Sequence, residues 1–414
     1  TFTTVNSGEA VSLSMAAEKE GTAVYIDWSG EGYSLEHYQL ATTYTLFSAT
    51  TQAGANVKVY TYDKDDVITV FSMGGAKLSA FDGSRLTKLI CLGVNGAGLS
   101  EITLPESDRL IELYLDNNEF TDFDLSRYPN LSMVSLSSNG LTSLDLTKSP
   151  ALQYVGAGHN EISEVKLDNK ALWFLDLADN KLSEIDLSKA PELSQLSLSY
   201  NEFEKLDISP AKKLVQLLVD HNRLTFATLP PDDKSLVQYV YSDQANLDVT
   251  CTGGQVDLSS QAKVGDVATN YAWYIGTPVF DEAGMLSGEQ LYVDDEYTLV
   301  DGVTAFLSDF EDLVCVMTNS ALDKLYLFTN PLDVTLGISD AVSGDDGIRV
   351  KAVGRDVYVE AAGMADGTPV GYVALDGRTV ASAVIAEGKA VLRNLPGGPG
   401  VIAVGNRGYK VALK

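Results

Sequence analysis

Residues 131–141 read LSMVSLSSNGL, and this stretch is one of six copies of the pattern L-x-x-L-x-L-x-x-N-x-L. The copies begin at Leu110, Leu131, Leu152, Leu172, Leu193 and Leu214. Successive copies are 21 residues apart, except for a single step of 20 residues between Leu152 and Leu172. A fixed period with this pattern predicts a leucine-rich repeat solenoid, in which each copy forms one coil.

The L-x-L part of each copy alternates apolar and variable residues, as a strand with one buried face does. Stacked copies are therefore expected to form a parallel sheet with the leucines turned inward. Each copy depends on its neighbours to bury those leucines. The amide of the repeated asparagine can bond unpaired backbone groups of the turn. These asparagines are Asn118, Asn139, Asn160, Asn180, Asn201 and Asn222.

Two degraded copies precede the six. Residues 86–102 fit with about two extra residues in the turn, an alignment that puts Cys91 at a leucine position in the core. Residues 68–81 fit with Ala76 in the place of the asparagine. Terminal repeats are usually atypical because they cap an open core. We therefore predict about eight coils, whose strands at roughly 4.8 Å spacing give a sheet on the order of 35 Å long.

The segments around the solenoid predict a mixed, mostly β chain. Short β segments such as AVYIDW precede it, and β segments at roughly ten-residue spacing follow Pro230-Pro231, which is typical of an antiparallel sandwich. The tail is rich in valine and punctuated by glycine. The predicted domains are a β cap (1–66), the solenoid (67–230), an Ig-like β-sandwich (231–336) and a C-terminal β-sandwich (337–414).

One tryptophan and two cysteines bear on the Ig-like prediction. Trp273 occupies the place of an immunoglobulin-type core tryptophan, and Cys251 and Cys315 could be read as the disulfide of that fold. However, VDLSSQ at 256–261 is the better second strand, which would place Cys251 on the strand before it. We therefore do not expect that disulfide.

The net charge of −28 is unevenly distributed, since residues 230–337 alone carry 18 acidic and 3 basic side chains. A chain this acidic, without a basic stripe, is a poor candidate for binding nucleic acid or an anionic membrane. No apolar run approaches the roughly 18 residues of a membrane helix, so membrane insertion is not expected.

Catalytic motifs are missing from the sequence: it contains no G-x-S-x-G, H-E-x-x-H, C-x-x-C or G-x-x-x-x-G-K-[ST]. His159 and His221 share a repeat column three copies apart, roughly 14 Å, which is too far to share a metal. We expect neither an enzyme nor a cofactor. Residues 281–312 hold ten acidic residues and no Lys or Arg. Such a stretch can bind calcium or can simply be solvated, and both readings stay open.

A binding site on the solenoid would use the variable positions beside the leucines, on the concave face of the sheet. The first concave column contains Glu112, Met133, Tyr154, Phe174, Gln195 and Gln216. The second contains Tyr114, Ser135, Gly156, Asp176, Ser197 and Leu218. The third contains Asp116, Ser137, Gly158, Ala178, Ser199 and Asp220, and Tyr200 and His221 follow at the strand ends.

In the middle of this face, small residues adjoin Met133, Tyr154 and Phe174, a combination suited to hot-spot contacts. The predicted contact residues are Glu112, Tyr114, Asp116, Met133, Tyr154, Phe174, Asp176, Gln195, Tyr200, Gln216 and Leu218. The competing interpretation is that aromatic residues simply favour strands and that another domain covers them. We expect a protein or glycan partner for a monomeric chain. The alternative is a structural spacer or assembly module without a dedicated ligand.

The repeats, for example LWFLDLADNKLSEIDLSKAPELSQL, resemble those of internalin-like and BspA-like surface proteins of Bacteroidetes type. AVYIDWSGEG looks like a stretch of the N-terminal cap in such proteins. The tail resembles the C-terminal sorting domain of type IX secretion, on DGRTV and LPGGPGVIAVGNRGYKVALK, but lacks the usual Pro-Asn-Pro entry motif. These resemblances imply a secreted or outer-membrane-surface protein that acts in recognition or adhesion.

Overall fold

The computed structural model of the chain describes residues 1–63, 67–231, 235–335, 347–374 and 377–413. Two compact units, Thr1–Ala245 and Asn246–Lys414, make up the chain. The described residues form β-strands and four short 3₁₀ helices, with no α-helix among them. The 3₁₀ helices are Leu125–Arg127, Leu187–Lys189, Ser259–Gln261 and Ser320–Leu322. No helix in these ranges has the length and hydropathy to cross a membrane.

The first 81 residues form two sheets, one of which continues into the repeats. The strands are β1 (Phe2–Thr4), β2 (Ala10–Ala17), β3 (Thr22–Asp27), β4 (Leu35–Leu40), β5 (Thr45–Thr50), β6 (Asn56–Thr61), β7 (Ile68–Gly74) and β8 (Leu78–Phe81). One sheet has the order β4-β3-β6-β1-β8. In the other, β5 pairs antiparallel with β2, and β2 pairs antiparallel with β7, the first strand of the repeats. The cap therefore covers the open end of the solenoid core by extending its sheet.

The repeat strands are β9 (Cys91–Val94), β10 (Glu112–Tyr114), β11 (Met133–Ser135), β12 (Ser143–Asp145), β13 (Tyr154–Gly156), β14 (Glu164–Lys166), β15 (Phe174–Asp176), β16 (Gln195–Ser197), β17 (Gln216–Leu218) and β18 (Gln238–Val240). All except β12 and β14, which pair with each other, belong to an 11-stranded sheet of order β18-β17-β16-β15-β13-β11-β10-β9-β7-β2-β5. The parallel register aligns Leu113, Val134 and Val155, which are fully buried. The predicted solenoid of about eight parallel coils is confirmed.

The solenoid continues past the predicted boundary at 230, because β18 pairs in parallel with β17. This further coil was not predicted because Tyr239 and Tyr241 replace leucines and Gln244 replaces the asparagine. Gln244 Oε1 accepts from the Leu224 amide, and its Nε2 donates to the Val219 and Tyr241 carbonyls. A glutamine thus makes the bonds that the asparagine makes in earlier coils.

The alignment of Cys91 with a leucine was wrong. Its Cα partners are Val70 and Glu112, so Cys91 belongs to the first concave column. Leu92 and Val94 supply the inward pair instead and are fully buried. Cys91 is itself 7% exposed, so it is buried at the sheet surface rather than in the leucine core.

Residues 246–335 form a two-sheet sandwich and a small hairpin. The strands are β19 (Gln255–Asp257), β20 (Lys263–Val264), β21 (Val267–Ala268), β22 (Asn270–Phe280), β23 (Leu286–Gln290), β24 (Tyr297–Val300), β25 (Val303–Phe306), β26 (Phe310–Thr318), β27 (Tyr326–Phe328) and β28 (Leu332–Val334). One sheet is β19-β25-β24, and the other is β23-β22-β26-β27 with β28 also on β26. Trp273 lies between them and donates to Thr304 Oγ1 at 3.0 Å. Cys251 and Cys315 are free thiols.

The tail forms two further sheets around one core. Its strands are β29 (Ile348–Val353), β30 (Asp356–Ala361), β31 (Pro369–Ala374), β32 (Thr379–Val384), β33 (Lys389–Leu392), β34 (Gly398–Val404) and β35 (Arg407–Leu413). The sheet orders are β29-β30-β33 and β32-β31-β34-β35. Both contribute to a cluster that includes Val357, Tyr372 and Ile402. The predicted boundary at 336/337 and Asp376, the first residue of DGRTV, lie outside the described residues.

Candidate recognition surface

The repeated asparagines fix the concave strands relative to one another. Asn180 is typical: its Nδ2 donates to the carbonyls of Ala157, Leu177 and Ala178 at 3.0–3.2 Å. Its Oδ1 accepts from the Ile162 amide at 2.9 Å. Each asparagine therefore joins its own coil to the preceding one, and buried amides so satisfied hold the turn rigidly.

The residue before each asparagine adopts a left-handed backbone conformation. The positive φ values are 57° at Asn117, 57° at Ser138, 56° at His159, 54° at Asp179, 56° at Tyr200, 54° at His221 and 56° at Asp243, which precedes Gln244. Such values are uncommon outside glycine. The turn thus presents a side chain at the same position at the end of every concave strand, and these positions include Tyr200.

The concave face extends from the repeats onto the cap. Ser14 aligns with Ser72, and Ser72 aligns with Gly93, so both serines belong to the second column. Gly93 in turn aligns with Tyr114. Small residues therefore occupy the cap end of that column, next to the large side chain of Tyr114.

An aromatic cluster stands in the middle of the face. The rings of Tyr154 and Phe174 stack with centroids 4.2 Å apart and 4° between their planes. Trp173 contacts both edge-on, with centroids 6.2 Å from Tyr154 and 5.8 Å from Phe174. Tyr154 and Phe174 are half-buried, and Trp173 is 40% exposed. These three residues, the aromatic cluster, offer apolar surface to a ligand in a preformed arrangement.

Beside the cluster, Gly156 at the end of β13 and Gly158 just after it are both buried. A Cβ on Gly156 would lie 3.2 Å from Ser135 Oγ and 3.7 Å from Tyr154 Cε1. A Cβ on Gly158 would lie 3.4 Å from Asp176 Oδ2. Neighbouring side chains, among them those of Ser135, Tyr154 and Asp176, therefore cover both glycines.

Asp116 and Asp176 are the carboxylates on this part of the face. Asp116 Oδ1 accepts from Ser135 Oγ at 2.6 Å and from the Ser137 amide at 2.8 Å. Asp176 Oδ1 accepts from the Ala178 amide at 3.0 Å. Burial, and then the charges of Asp176 and Asp116, raise the pKa of Tyr154. The negative charges of both carboxylates thus disfavour ionisation of Tyr154.

At the cap end of the face, Glu112 affects the ionisation of its neighbours Tyr114 and Cys91. It accepts from the Tyr114 hydroxyl at 3.2 Å, and burial followed by the Glu112 charge raises the pKa of Tyr114 to about 12. The same two causes, in the same order, raise the pKa of Cys91 to about 12. The charge of Cys91, then burial and then the charge of Glu112 raise the pKa of Tyr44 in the cap.

At the far end, Tyr200 stacks on His221 with ring centroids 3.9 Å apart. His221 Nδ1 is 2.8 Å from Asp220 Oδ2, whereas His159 Nδ1 is 2.6 Å from Asp179 Oδ2. The two histidines therefore have different carboxylate partners. In the described ranges, no three His, Cys, Asp or Glu side chains converge as a metal site would require.

The structure brings the predicted contact residues onto one sheet face and its strand ends. Glu112, Met133, Tyr154, Phe174, Gln195 and Gln216 align in the first column, and Tyr114, Asp176 and Leu218 in the second. The sequence reasoning missed Trp173, which directly precedes Phe174 of the first column. It also missed Tyr44, which belongs to the cap. Whether these residues bind a ligand remains a prediction.

The sequence matches no family model and no curated relative. Among solved structures, it is similar to the leucine-rich repeat domain of APL1B, with 30% identity over 38% of this chain and 49% of that one, at a TM-score of 0.32. The functional domain of InlJ from Listeria monocytogenes is 18% identical over 60% and 63%, at 0.32. YopM from Yersinia enterocolitica is 25% identical over 41% and 37%, at 0.35. The chain spans less than two thirds of the length of each of these structures. Its assignment to the leucine-rich repeat fold therefore rests on the parallel register of its own strands.

Proposed function

We propose that the chain is a recognition or adhesion protein, secreted or exposed at the outer-membrane surface, that binds a protein or glycan partner through its concave face. The aromatic cluster is the observation that carries this proposal. Three rings in mutual contact remain partly exposed in the middle of the face. Aromatic residues near the centre of an interface commonly supply most of its binding energy.

The surroundings of the cluster favour binding of an extended ligand over chemistry. Hydrogen bonds between coils hold the face rigid, so little ordering entropy is lost on association. Small residues on either side allow close approach of a ligand backbone or ring. The resemblance of the repeats and tail to surface proteins supports the location outside the cell.

A direct test is an array of extracellular-matrix proteins and glycans probed with the intact chain and with a Tyr154→Ala/Phe174→Ala variant. A Tyr33→Ala/Tyr292→Ala variant is the matched control, because it removes two exposed aromatic rings that lie outside the repeats in the sequence. We expect a hit that the first variant loses and the control keeps. Hits that survive in both variants would move the site elsewhere, and an array without hits would favour a spacer or assembly role.

A further inference from the structure

The 11-stranded sheet ends at β5, which has a neighbouring strand on one side only. Among the described residues β5 pairs with β2 alone. The Thr51 amide donates to the Glu9 carbonyl at 3.2 Å, so the odd-numbered residues of this segment form the bonded pairs with β2. The amides and carbonyls of Leu46, Ser48 and Thr50 therefore point to the open edge, where the described part of the chain offers them no backbone partner.

The sequence around β5 lacks the features that usually protect an edge strand. Charges, prolines and bulges keep such strands from pairing with another chain. Residues 38–57 contain no charged residue, no histidine and no proline, although 21% of the whole chain is charged. The register of β5 with β2 also runs without a bulge. By contrast, the edge strand β4 contains Glu36 and His37, and Arg378 and Glu387 flank the edge strand β32.

Apolar side chains are exposed along the same edge. Leu46 is 73% exposed, and Tyr44, directly before the strand, is 65% exposed. Leu46 is the Cα partner of Ser14, so it lies on the concave side of the sheet, whereas Phe47 is buried on the other side. An added strand would cover exposed apolar surface and bond the open backbone groups at once.

A second copy of β5 is complementary to this edge. Only an extended backbone presents amides and carbonyls at the spacing that the edge requires. In an antiparallel pair of two β5 strands, concave-side residues of one copy lie beside concave-side residues of the other. Leu46 and Ser48 would then meet the same segment of the second copy, and no like charges are opposed because the segment has none. A two-fold axis relates two strands paired in this way, which closes the assembly at two copies.

We propose that two copies of the chain associate through β5, in an antiparallel pairing that joins their 11-stranded sheets into one. A dimer of this kind replaces the monomer expected from the sequence. One pair of strands is a small interface, so the dimer is weak and reversible. The pairing needs neither the aromatic cluster nor a ligand, and it therefore stands independently of the proposed recognition function.

The test is sedimentation equilibrium of the intact chain at increasing concentration, beside a Leu46→Lys/Ser48→Lys variant. Both positions are exposed, so the lysines are compatible with the fold, but in the dimer they would bring like charges together across the strand pair. The control is Val380→Lys/Ser382→Lys, which makes the same change in net charge at two exposed positions of the edge strand β32.

We expect the intact chain to show a monomer–dimer equilibrium that added salt shifts towards the dimer. Salt screens the repulsion between two chains that each carry a net charge of −28. The Leu46→Lys/Ser48→Lys variant should dimerise about tenfold or more weakly. The β32 control should change dimerisation by less than about threefold.

A charge-reversal mixture provides the second measurement. Leu46→Lys/Ser48→Lys mixed with Leu46→Glu/Ser48→Glu should associate again, because opposite charges then face each other across the strand pair. Restored association would also show that both variants are folded. The inference is overturned by a chain that stays monomeric up to its solubility limit, by a dimer that the β5 lysines leave intact or the β32 lysines weaken equally, or by a mixture that does not associate.

Discussion

Tyr154 and Phe174 are Cα partners on adjacent parallel strands, and their rings are parallel within 4° at a centroid distance of 4.2 Å. The single 20-residue step of the repeat lies between these two copies, so the missing residue is accommodated outside the strands. The sheet register therefore dictates the stack. A pair held this way is already arranged for a ligand, which reduces the entropy lost on binding.

The asparagine ladder should contribute strongly to stability. Asn180→Ala removes three donated bonds and one accepted bond and leaves buried backbone groups unpaired. We expect the repeats to lose about 3 kcal/mol in opening free energy, since each orphaned buried group costs about 1–3 kcal/mol. Hydrogen exchange of the β13 and β15 amides measures this. Asn130→Ala, at an exposed asparagine, should change it by less than about 0.5 kcal/mol, and equal effects would contradict the role of the ladder.

The left-handed position at Ser138 predicts opposite effects for two substitutions. At φ 57°, Ser138→Gly should relieve backbone strain and stabilise the repeats by up to about 1 kcal/mol. Ser138→Val introduces a β-branched side chain and should destabilise them by about 1–3 kcal/mol. Thermal unfolding of the two variants beside the unsubstituted chain gives the order. A valine variant as stable as the glycine variant would be inconsistent with this turn geometry.

The cap should lose stability in acid through Asp27. Its buried carboxylate accepts from Ser29 Oγ and from the Gly30 and Gly32 amides at 2.8–2.9 Å. Burial alone would raise its pKa, but these bonds outweigh it and hold the pKa below the ordinary 3.8. The stabilisation is thus complete above pH 3.8 and is lost as pH falls through the lower folded-state pKa.

The corresponding experiment follows cap amide exchange against pH for the chain and for Asp27→Asn. The difference between them should be largest above pH 3.8 and should shrink in more acidic solution. Asp122→Asn, at an exposed residue, controls for loss of charge. A difference that stays constant as the pH falls would show that ionised Asp27 does not hold this loop.

The three thiols should react at different rates. Burial, and then Glu112, raise the pKa of Cys91 to about 12, and burial raises the pKa of the fully buried Cys315. Because the thiolate is the reactive form, we expect iodoacetamide at pH 8 to label half-buried Cys251 first. A mass-spectrometric time course follows each site. Glu112→Gln should speed the labelling of Cys91 alone. Equal initial labelling rates at Cys91 and Cys251 would contradict the effect of burial and of Glu112 on Cys91.

The repeat pattern predicted the solenoid correctly, since Leu113, Val134 and Val155 align in the register that the leucine spacing predicts. It failed where the anchor residue changes. In the degraded copy without a matching asparagine, the alignment slipped by three residues and put Cys91 where Val94 stands. A slip by an odd number of residues turns every side chain to the other face. The last coil was missed because Gln244 stands in the place of the asparagine, although the Gln244 amide makes equivalent bonds.

The candidate surface could be predicted only within the repeat columns. Tyr154 and Phe174 were found because the period places them side by side. Trp173 lies outside the columns, directly before β15. It joins the cluster because its large ring contacts both Tyr154 and Phe174. Tyr44 directly precedes β5, which joins the sheet through its antiparallel pairing with β2, a long-range arrangement that no local spacing encodes.

The most direct test of recognition through the concave face is the dissociation constant of an array-identified partner for the chain and for Tyr154→Ala/Phe174→Ala, measured by calorimetry. Loss of two central aromatic contacts should cost about 2 kcal/mol or more, which is roughly a thirtyfold weaker affinity. Hydrogen exchange of the repeat amides would verify that the variant is folded. An unchanged dissociation constant in a folded variant would contradict the account.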